Sequence, residues 1–169
     1  IMSDNNQDVT IGNQQESLHF KIGYILGIID GEGHLGLRSY RQKSGVVNYS
    51  PILQVECVDE KIVNTFARYM KDLGLPVYIC KLKPRNGWDG TLRFLLKGMK
   101  RMKPVLDLLL KYPFAKRERA KVLKEFINLR KLGIKNSKYG YSEKDLKTKI
   151  TEFNRKRKAE SSETIRLTG

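Results

Sequence analysis

The chain has 169 residues, which is long enough for one domain with a buried core. Its hydrophobic share of 40% and its charged share of 30% are ordinary for a globular protein. Lysine and arginine total 33 against 18 for aspartate and glutamate, so the net charge of +15 favours a polyanionic partner, most often nucleic acid, over a merely solvated basic surface.

Two classes of protein are excluded by the remaining composition. Cys57 and Cys80 are too few for a disulfide scaffold and have no metal-ligand spacing. The longest apolar run, residues 24–29, is too short to cross a bilayer, which predicts no membrane partner. Residues 1–16 lack the cationic start and apolar centre of an export signal. We therefore expect an intracellular protein, in a prokaryotic cytoplasm or an organelle.

Hydrophobic periodicity and turn residues predict the elements in chain order. A polar tail over 1–16 precedes one domain over 17–158, and a second tail covers 159–169. The predicted elements are a helix from a Ser17 cap to about Asp30, strands over 34–42 and 49–58, a helix over 60–74, strands over 77–83 and 91–97, and helices over 99–112, 115–133 and 142–158. This order predicts an α+β fold, with an antiparallel or mixed sheet and helices on one face.

The segment IGYILGIIDGEGHLGL, residues 22–37, breaks the rules for a helix. Gly23 and Gly27 each cost about 1 kcal/mol relative to alanine inside a helix. They lie four residues apart on one face, where a second backbone could approach closely, although a chance pair of glycines is the alternative. Asp30 lies near the helix C-terminus, where the helix dipole disfavours a negative charge. It could instead serve a structural role by accepting hydrogen bonds from free backbone N–H groups across the contact with that second backbone.

Glu32 follows the predicted helix, between Gly31 and Gly33. The glycines free the backbone, so the Gly31 carbonyl could face a ligand together with the Glu32 carboxylate. Oxygen-only ligation of this kind suits Mg²⁺.

The stretch LGIIDGEG, residues 26–33, resembles the signature of the LAGLIDADG homing endonucleases. The following strand and the α-β-β-α-β-β-α order match as well, so the resemblance covers about residues 17–135. It implies the homing-endonuclease fold, in which a curved DNA-binding β-sheet carries its helices on the opposite face. It also implies a homodimer through Gly23, Gly27 and Asp30, with Glu32 and Gly31 binding the catalytic metal.

The resemblance further implies an intron-encoded, site-specific double-strand DNA endonuclease. Such a homodimer hydrolyses one phosphodiester on each strand of a long pseudo-palindromic site with Mg²⁺, and Mn²⁺ or Ca²⁺ would occupy the same site. Two Glu32 carboxylates about 4 Å apart would repel by about 4 kcal/mol, a cost that divalent cations remove. The alternatives are an RNA maturase that assists intron splicing, with RNA as partner, and a non-catalytic DNA-binding regulator. The retained Glu32 argues against the regulator.

Two lysines match basic positions that the family places around the scissile phosphates, which makes both of them predicted catalytic residues. Lys116 begins the helix after the second strand pair, and Lys61 lies early in the helix after the second strand. A solvated surface lysine is the alternative for both. Cys57 occupies a position where the family often has a glutamine that orders water. The alternatives are that Gln54 or Glu56 takes over this role or that the water is ordered in another way, with Cys57 a structural strand residue.

Polar residues of one parity along the four strands predict a surface that reads DNA, because a β-ribbon fits the major groove. Arg38, Arg85 and Arg93 are the best candidates for guanine contacts, while lysines suit phosphates. Contact with DNA is also possible for His34, Trp88 and the basic run 154–158, and a purely structural role is the alternative for each. The predicted DNA-contacting residues are Arg38, Tyr40, Gln42, Gln54, Glu56, Lys81, Lys83, Arg85 and Arg93.

Overall fold

The computed structural model describes residues 17–83, 90–133, 143–153 and 155. The helices are α1 (Leu18–Gly31), α2 (Glu60–Asp72), α3 (Met99–Leu109), α4 (Arg117–Lys131) and α5 (143–153), and the strands are β1 (Gly33–Arg41), β2 (Val47–Cys57), β3 (Ile79–Lys81) and β4 (Leu92–Lys97). The predicted tails, the Ser142 cap, Arg85, Trp88 and most of the run 154–158 lie outside the described residues.

Helix ends follow the sequence signals. The Ser17 hydroxyl accepts a hydrogen bond from the Phe20 N–H at 3.2 Å, and the Asp59 carboxylate accepts one from the Lys61 N–H at 2.9 Å. Both bonds satisfy N–H groups that a helix start leaves without partners. After α2 the chain turns at Gly74, whose φ of +68° is the left-handed conformation that glycine adopts without steric cost.

The four strands form one antiparallel sheet in the order β1-β2-β4-β3. The register pairs Leu35 with Leu53 and Val55 with Phe94, so the apolar residues share one face. Helices α1 to α4 contact the strands on this inner face, where Phe66 of α2 meets Phe94 edge-on at 4.9 Å between ring centroids. The α+β fold with helices on one sheet face is therefore confirmed.

Two details differ from the sequence prediction. The β3 ladder spans three residues instead of 77–83, although the Tyr78 carbonyl accepts from Leu95 N–H and Leu82 N–H donates to the Thr91 carbonyl at either end. Helix α5 adds to the fold by packing beside the edge strand β1. Its Lys147 ammonium donates to the Leu37 carbonyl, which satisfies a backbone group that the sheet edge would expose.

No helix in the described ranges is long and apolar enough to cross a membrane.

Candidate functional site

The candidate site is built where α1 ends and β1 begins, at what we term the α1–β1 junction, residues 29–33 with 115–116. Glu32 closes the helix by donating its N–H to the Ile28 carbonyl at 2.9 Å. A Cβ at Gly33 would lie 2.6 Å from the carbonyl oxygen of Ile29 and 2.7 Å from its Cα. Only glycine lets β1 leave so close to the last helical turn, and this fixes the backbone beside Glu32.

Asp30 ties the junction to the start of α4. Its two carboxylate oxygens accept hydrogen bonds from the Ala115 N–H at 2.8 Å and from the Lys116 N–H at 3.0 Å. A carboxylate suits this place because a helix N-terminus carries free N–H groups and partial positive charge. These N–H groups belong to the same chain, so the structural role that the sequence left open for Asp30 is made within the protomer. The predicted part of Asp30 in a dimer contact stays a prediction.

Lys116 holds one backbone carbonyl before Glu32 in the chain and one after it. Its side chain is buried, with 3% of the residue exposed. Its ammonium donates to the Ile29 carbonyl at 2.6 Å and to the Gly33 carbonyl at 2.5 Å. The family resemblance predicts this lysine near a scissile phosphate, and here its three donors are directed largely at the backbone of the junction. Lys61, the other predicted lysine, is exposed in the first turn of α2.

The oxygens available for a metal ion are few but of the right type. Glu32 is exposed at the end of α1, and the Gly31 carbonyl belongs to the last helical turn, which lacks N–H donors from its own helix. Across the described part of the chain there is no group of three or more acidic, histidine or cysteine side chains that could hold a metal. The donor set fits Mg²⁺, which keeps several waters and shares its sites with phosphate oxygens, provided that other molecules supply the remaining ligands.

Positive charge lies close to the ring of His34, two residues after Glu32. The ring of His34, the second residue of β1, has its pKa lowered first by partial burial and then by repulsion from Lys147, Arg119 and Lys116. Three cationic groups from α4 and α5 therefore act on the same ring. Such a potential attracts phosphate towards the junction.

One face of α1 is bare. Gly23, Gly27 and Gly31 are exposed, and a Cβ at any of them would have no described atom within 4 Å apart from its own helix backbone and chain neighbours. Ile25 and Ile29, on the other side of the helix, are fully buried in the core. Within the part of the protomer that the structure describes, the glycines therefore allow no close packing contact that a larger residue would block.

The sheet surface turned away from α1 to α4, here called the outer face, carries most of the predicted DNA contacts. The outer position of Arg93 follows from its register partners Glu56 and Cys80. A cavity of about 410 Å³ opens on this face. The outer-face members of the predicted set are Arg38, Tyr40, Gln54, Glu56 and Arg93, with Gln42 exposed just beyond β1.

The predicted face of β3 is wrong. Lys81 lies opposite Leu92, which is buried in the core, so Lys81 points to the helix side. There its ammonium is 3.0 Å from a carboxylate oxygen of Glu60 on α2. Lys83 is exposed beyond the end of β3. The alternation was assigned one residue out of phase because a three-residue edge strand takes its register from its partner, β4.

Cys57 pairs with Leu92 in the sheet and packs against the core, a position that favours its structural interpretation. Sequence reasoning missed Lys147, which lines the outer-face cavity together with His34, Arg38 and Gln54. No local pattern singles out this lysine, because the link between α5 and β1 joins residues 110 positions apart.

Solved structures share this architecture. The chain matches the homing endonuclease I-CvuI, solved with a DNA target, at TM-score 0.54 and 18% identity over 81% of this chain and 96% of that one. It matches the archaeal intron-encoded homing endonuclease I-Vdi141I, complexed with DNA, at TM-score 0.55 and 18% identity over 82% and 99%.

A further match is I-LtrWI, a LAGLIDADG homing endonuclease bound to target DNA, at TM-score 0.53 and 19% identity over 69% of this chain and 39% of that one. No protein-family profile and no curated protein sequence matches the chain. The structural agreement confirms the resemblance drawn from LGIIDGEG: the chain has the fold of the LAGLIDADG homing endonucleases.

Proposed function

We propose that this chain is a site-specific, divalent-metal-dependent DNA endonuclease of the LAGLIDADG family that acts as a homodimer. The observation that carries the proposal is the α1–β1 junction, where an exposed Glu32 is held by backbone bonds beside a face of bare glycines. The DNA-bound state of the structural neighbours I-Vdi141I and I-LtrWI supports the choice of substrate.

Glu32 is the catalytic residue of the proposal. Its carboxylate and the Gly31 carbonyl would hold a Mg²⁺ ion, which when bound supplies a Lewis acid for phosphodiester hydrolysis. The chain's own contribution is the fixed backbone that carries these groups. Lys116 bonds to backbone carbonyls on both sides of Glu32, and Asp30 anchors this segment to the start of α4, so the backbone that carries Glu32 would need little reorganisation when DNA binds.

The positive groups around the junction would bind the substrate backbone. Lys147 and Arg119 both act on the His34 ring, beside Glu32 in the chain. A DNA phosphate attracted to these groups would lie near the Glu32 carboxylate, with which it would share the metal ion. The outer face, with Arg38, Gln54 and Arg93, would enter the major groove and select the sequence.

Dimerisation would use the bare face of α1. Glycines at 23, 27 and 31 follow the i, i+4, i+8 spacing of one helix face, where a second helix can approach closely. A second copy across a two-fold axis places the same glycines opposite each other and brings two Glu32 residues towards one DNA duplex. Matching nearly all of I-CvuI and I-Vdi141I but 39% of I-LtrWI supports the view that this domain is one unit of a pair.

A cleavage experiment tests the proposal. Duplexes that the protein binds are selected from a randomised pool, and the selected site is cloned into a plasmid. We expect the wild type to linearise the plasmid with Mg²⁺ and not with EDTA. Glu32→Gln should bind the same site and cut at least about a hundredfold more slowly, because removal of one preorganised catalytic group costs that much or more.

Glu118→Gln is the matched control, since Glu118 is an exposed carboxylate paired with Lys121 on α4. It should cut at the wild-type rate. Cutting by Glu32→Gln at that same rate, or cutting in EDTA, would contradict the catalytic assignment. Failure of the wild type to enrich any sequence would contradict site-specific DNA recognition.

A further inference from the structure

Glu56 places a carboxylate in the outer face of a chain whose net charge is +15. It lies on β2, one of the two central strands of the sheet. A negative charge there repels phosphate and lowers the affinity for any duplex. The contacts of Glu56 indicate a role other than binding phosphate.

Both oxygens of the Glu56 carboxylate are hydrogen-bonded to neighbours on the outer face. Oε2 accepts from Arg93 Nε at 2.9 Å, from Arg93 Nη2 at 2.7 Å and from Gln54 Nε2 at 3.1 Å. Oε1 accepts from the Thr91 hydroxyl at 3.1 Å. Because Glu56 and Arg93 also face each other in the β2–β4 register, the pair is fixed by the backbone as well as by side chains.

The bonds to Glu56 occupy one edge of the Arg93 guanidinium and leave its terminal edge available for a ligand. Nε and Nη2 form the side edge, which faces the carboxylate. The terminal edge still carries one N–H of Nη1 and one of Nη2, which point in parallel. Arg93 lines the outer-face cavity of about 410 Å³, so a ligand on this face can reach it. Two parallel donors match the N7 and O6 acceptors that guanine shows in the major groove.

We propose that Glu56 is a specificity-determining residue, which positions Arg93 to read one guanine in each half of the DNA site. This inference rests on the proposed function. An arginine without an acidic partner binds DNA phosphate at any sequence. An arginine whose charge is largely neutralised gains little affinity from the DNA backbone. The pair therefore trades general affinity for discrimination between base pairs.

Selection from a randomised duplex pool tests the role of Glu56. The wild type should enrich a consensus with a G·C pair at one position of each half-site. Glu56→Gln should lose about tenfold of the preference at that position, the range expected for one bidentate contact, and keep the others. Its affinity for a random-sequence duplex should rise, because a negative charge is removed. A merely structural role would lower all affinities together.

Three further variants sharpen the result. Glu60→Gln makes the same change in charge on α2, where Glu60 pairs with Lys81 away from the outer face, and should keep the full consensus. Arg93→Lys should lose the preference for G·C at the same position as Glu56→Gln, because lysine cannot donate two parallel hydrogen bonds to guanine. If Glu56→Gln does not fold, Thr91→Val, which removes one bond to Glu56, should weaken the preference at that position alone.

Each outcome decides the matter. An unchanged consensus in Glu56→Gln, or equal weakening at every position, overturns the inference and leaves the endonuclease proposal standing. A wild type that enriches no sequence overturns the proposed function itself, and the inference with it.

Discussion

The α1–β1 junction and the outer face of the sheet are held in place by different means. At the junction, Lys116 and Asp30 bond to backbone atoms of three separate elements, and Gly33 packs against the helix backbone. On the outer face, Glu56 and Arg93 bond to other side chains. Side-chain changes at the junction should therefore disturb the packing of the elements that it joins. Side-chain changes on the outer face should leave that packing intact.

This difference separates two kinds of mutational effect. Substitutions at the junction should lower the free energy of unfolding and the cutting rate together. Substitutions on the outer face should alter DNA binding and leave the free energy of unfolding within about 0.5 kcal/mol of the wild type.

Gly33→Ala should have the largest effect on stability. Its Cβ would lie 2.6 Å from backbone atoms of Ile29, which cannot move without displacing α1, so we expect a loss of about 3 kcal/mol in urea unfolding. Gly31→Ala is the matched control, because its Cβ would meet no atom of residues 17–83, 90–133 or 143–153 within 4 Å beyond its own helix backbone and chain neighbours. In dilute protein it should retain at least the wild-type midpoint. Equal destabilisation by both would show that the close approach at Gly33 is unimportant.

Lys116→Met should lower the free energy of unfolding by about 2 kcal/mol, because two buried carbonyls lose a donor while the hydrocarbon part of the side chain is kept. The cutting rate should fall as well, since the peptides around Glu32 are no longer held. Lys61→Met, at an exposed position, is the control and should be stable. If Lys116→Met kept wild-type stability and lost only cutting, the lysine would act on the substrate instead of the backbone.

Arg38→Gln should have the smallest effect on stability and a clear one on DNA. Because Arg38 is exposed on the outer face, we expect no shift in the unfolding midpoint. On a random-sequence duplex, where no matching guanine is fixed opposite it, Arg38 would bind phosphate, so its loss should reduce the slope of log affinity against log salt by about 0.9. Binding to a random-sequence duplex at several salt concentrations measures this slope. A destabilised Arg38→Gln with an unchanged slope would mean that the outer face is structural.

The comparison also explains what the sequence could predict. Asp30, Glu32 and Gly33 are neighbours in the chain, so they predict the end of α1 and carry the family resemblance that implies the fold. The bonds of Lys116 join residues more than 80 positions apart and have no local signal. The face of Lys81 depends on pairing with β4, and the approach of Lys147 to Leu37 depends on the packing of α5, so neither follows from alternation alone.

Pairing of α1 with a second copy would bring the junction and the outer face together in one enzyme. Gly27→Leu should abolish this pairing, because a large side chain blocks the close approach of the two helices. That variant should sediment as a folded monomer and lose double-strand cutting. An unaltered dimer would contradict the placement of the interface on the bare glycine face.

The most direct test of the account is disulfide cross-linking of Gly27→Cys in a chain whose Cys57 and Cys80 are replaced by alanine. A disulfide needs Cα atoms about 4.4–6.8 Å apart, a separation that two contacting glycine faces provide. We predict that mild oxidation yields a covalent dimer which still cuts DNA with Mg²⁺, while Ser44→Cys, exposed in the β1–β2 hairpin, stays monomeric. Absence of the Gly27→Cys dimer, or equal cross-linking at both positions, would contradict the claim that paired α1 helices build the active site.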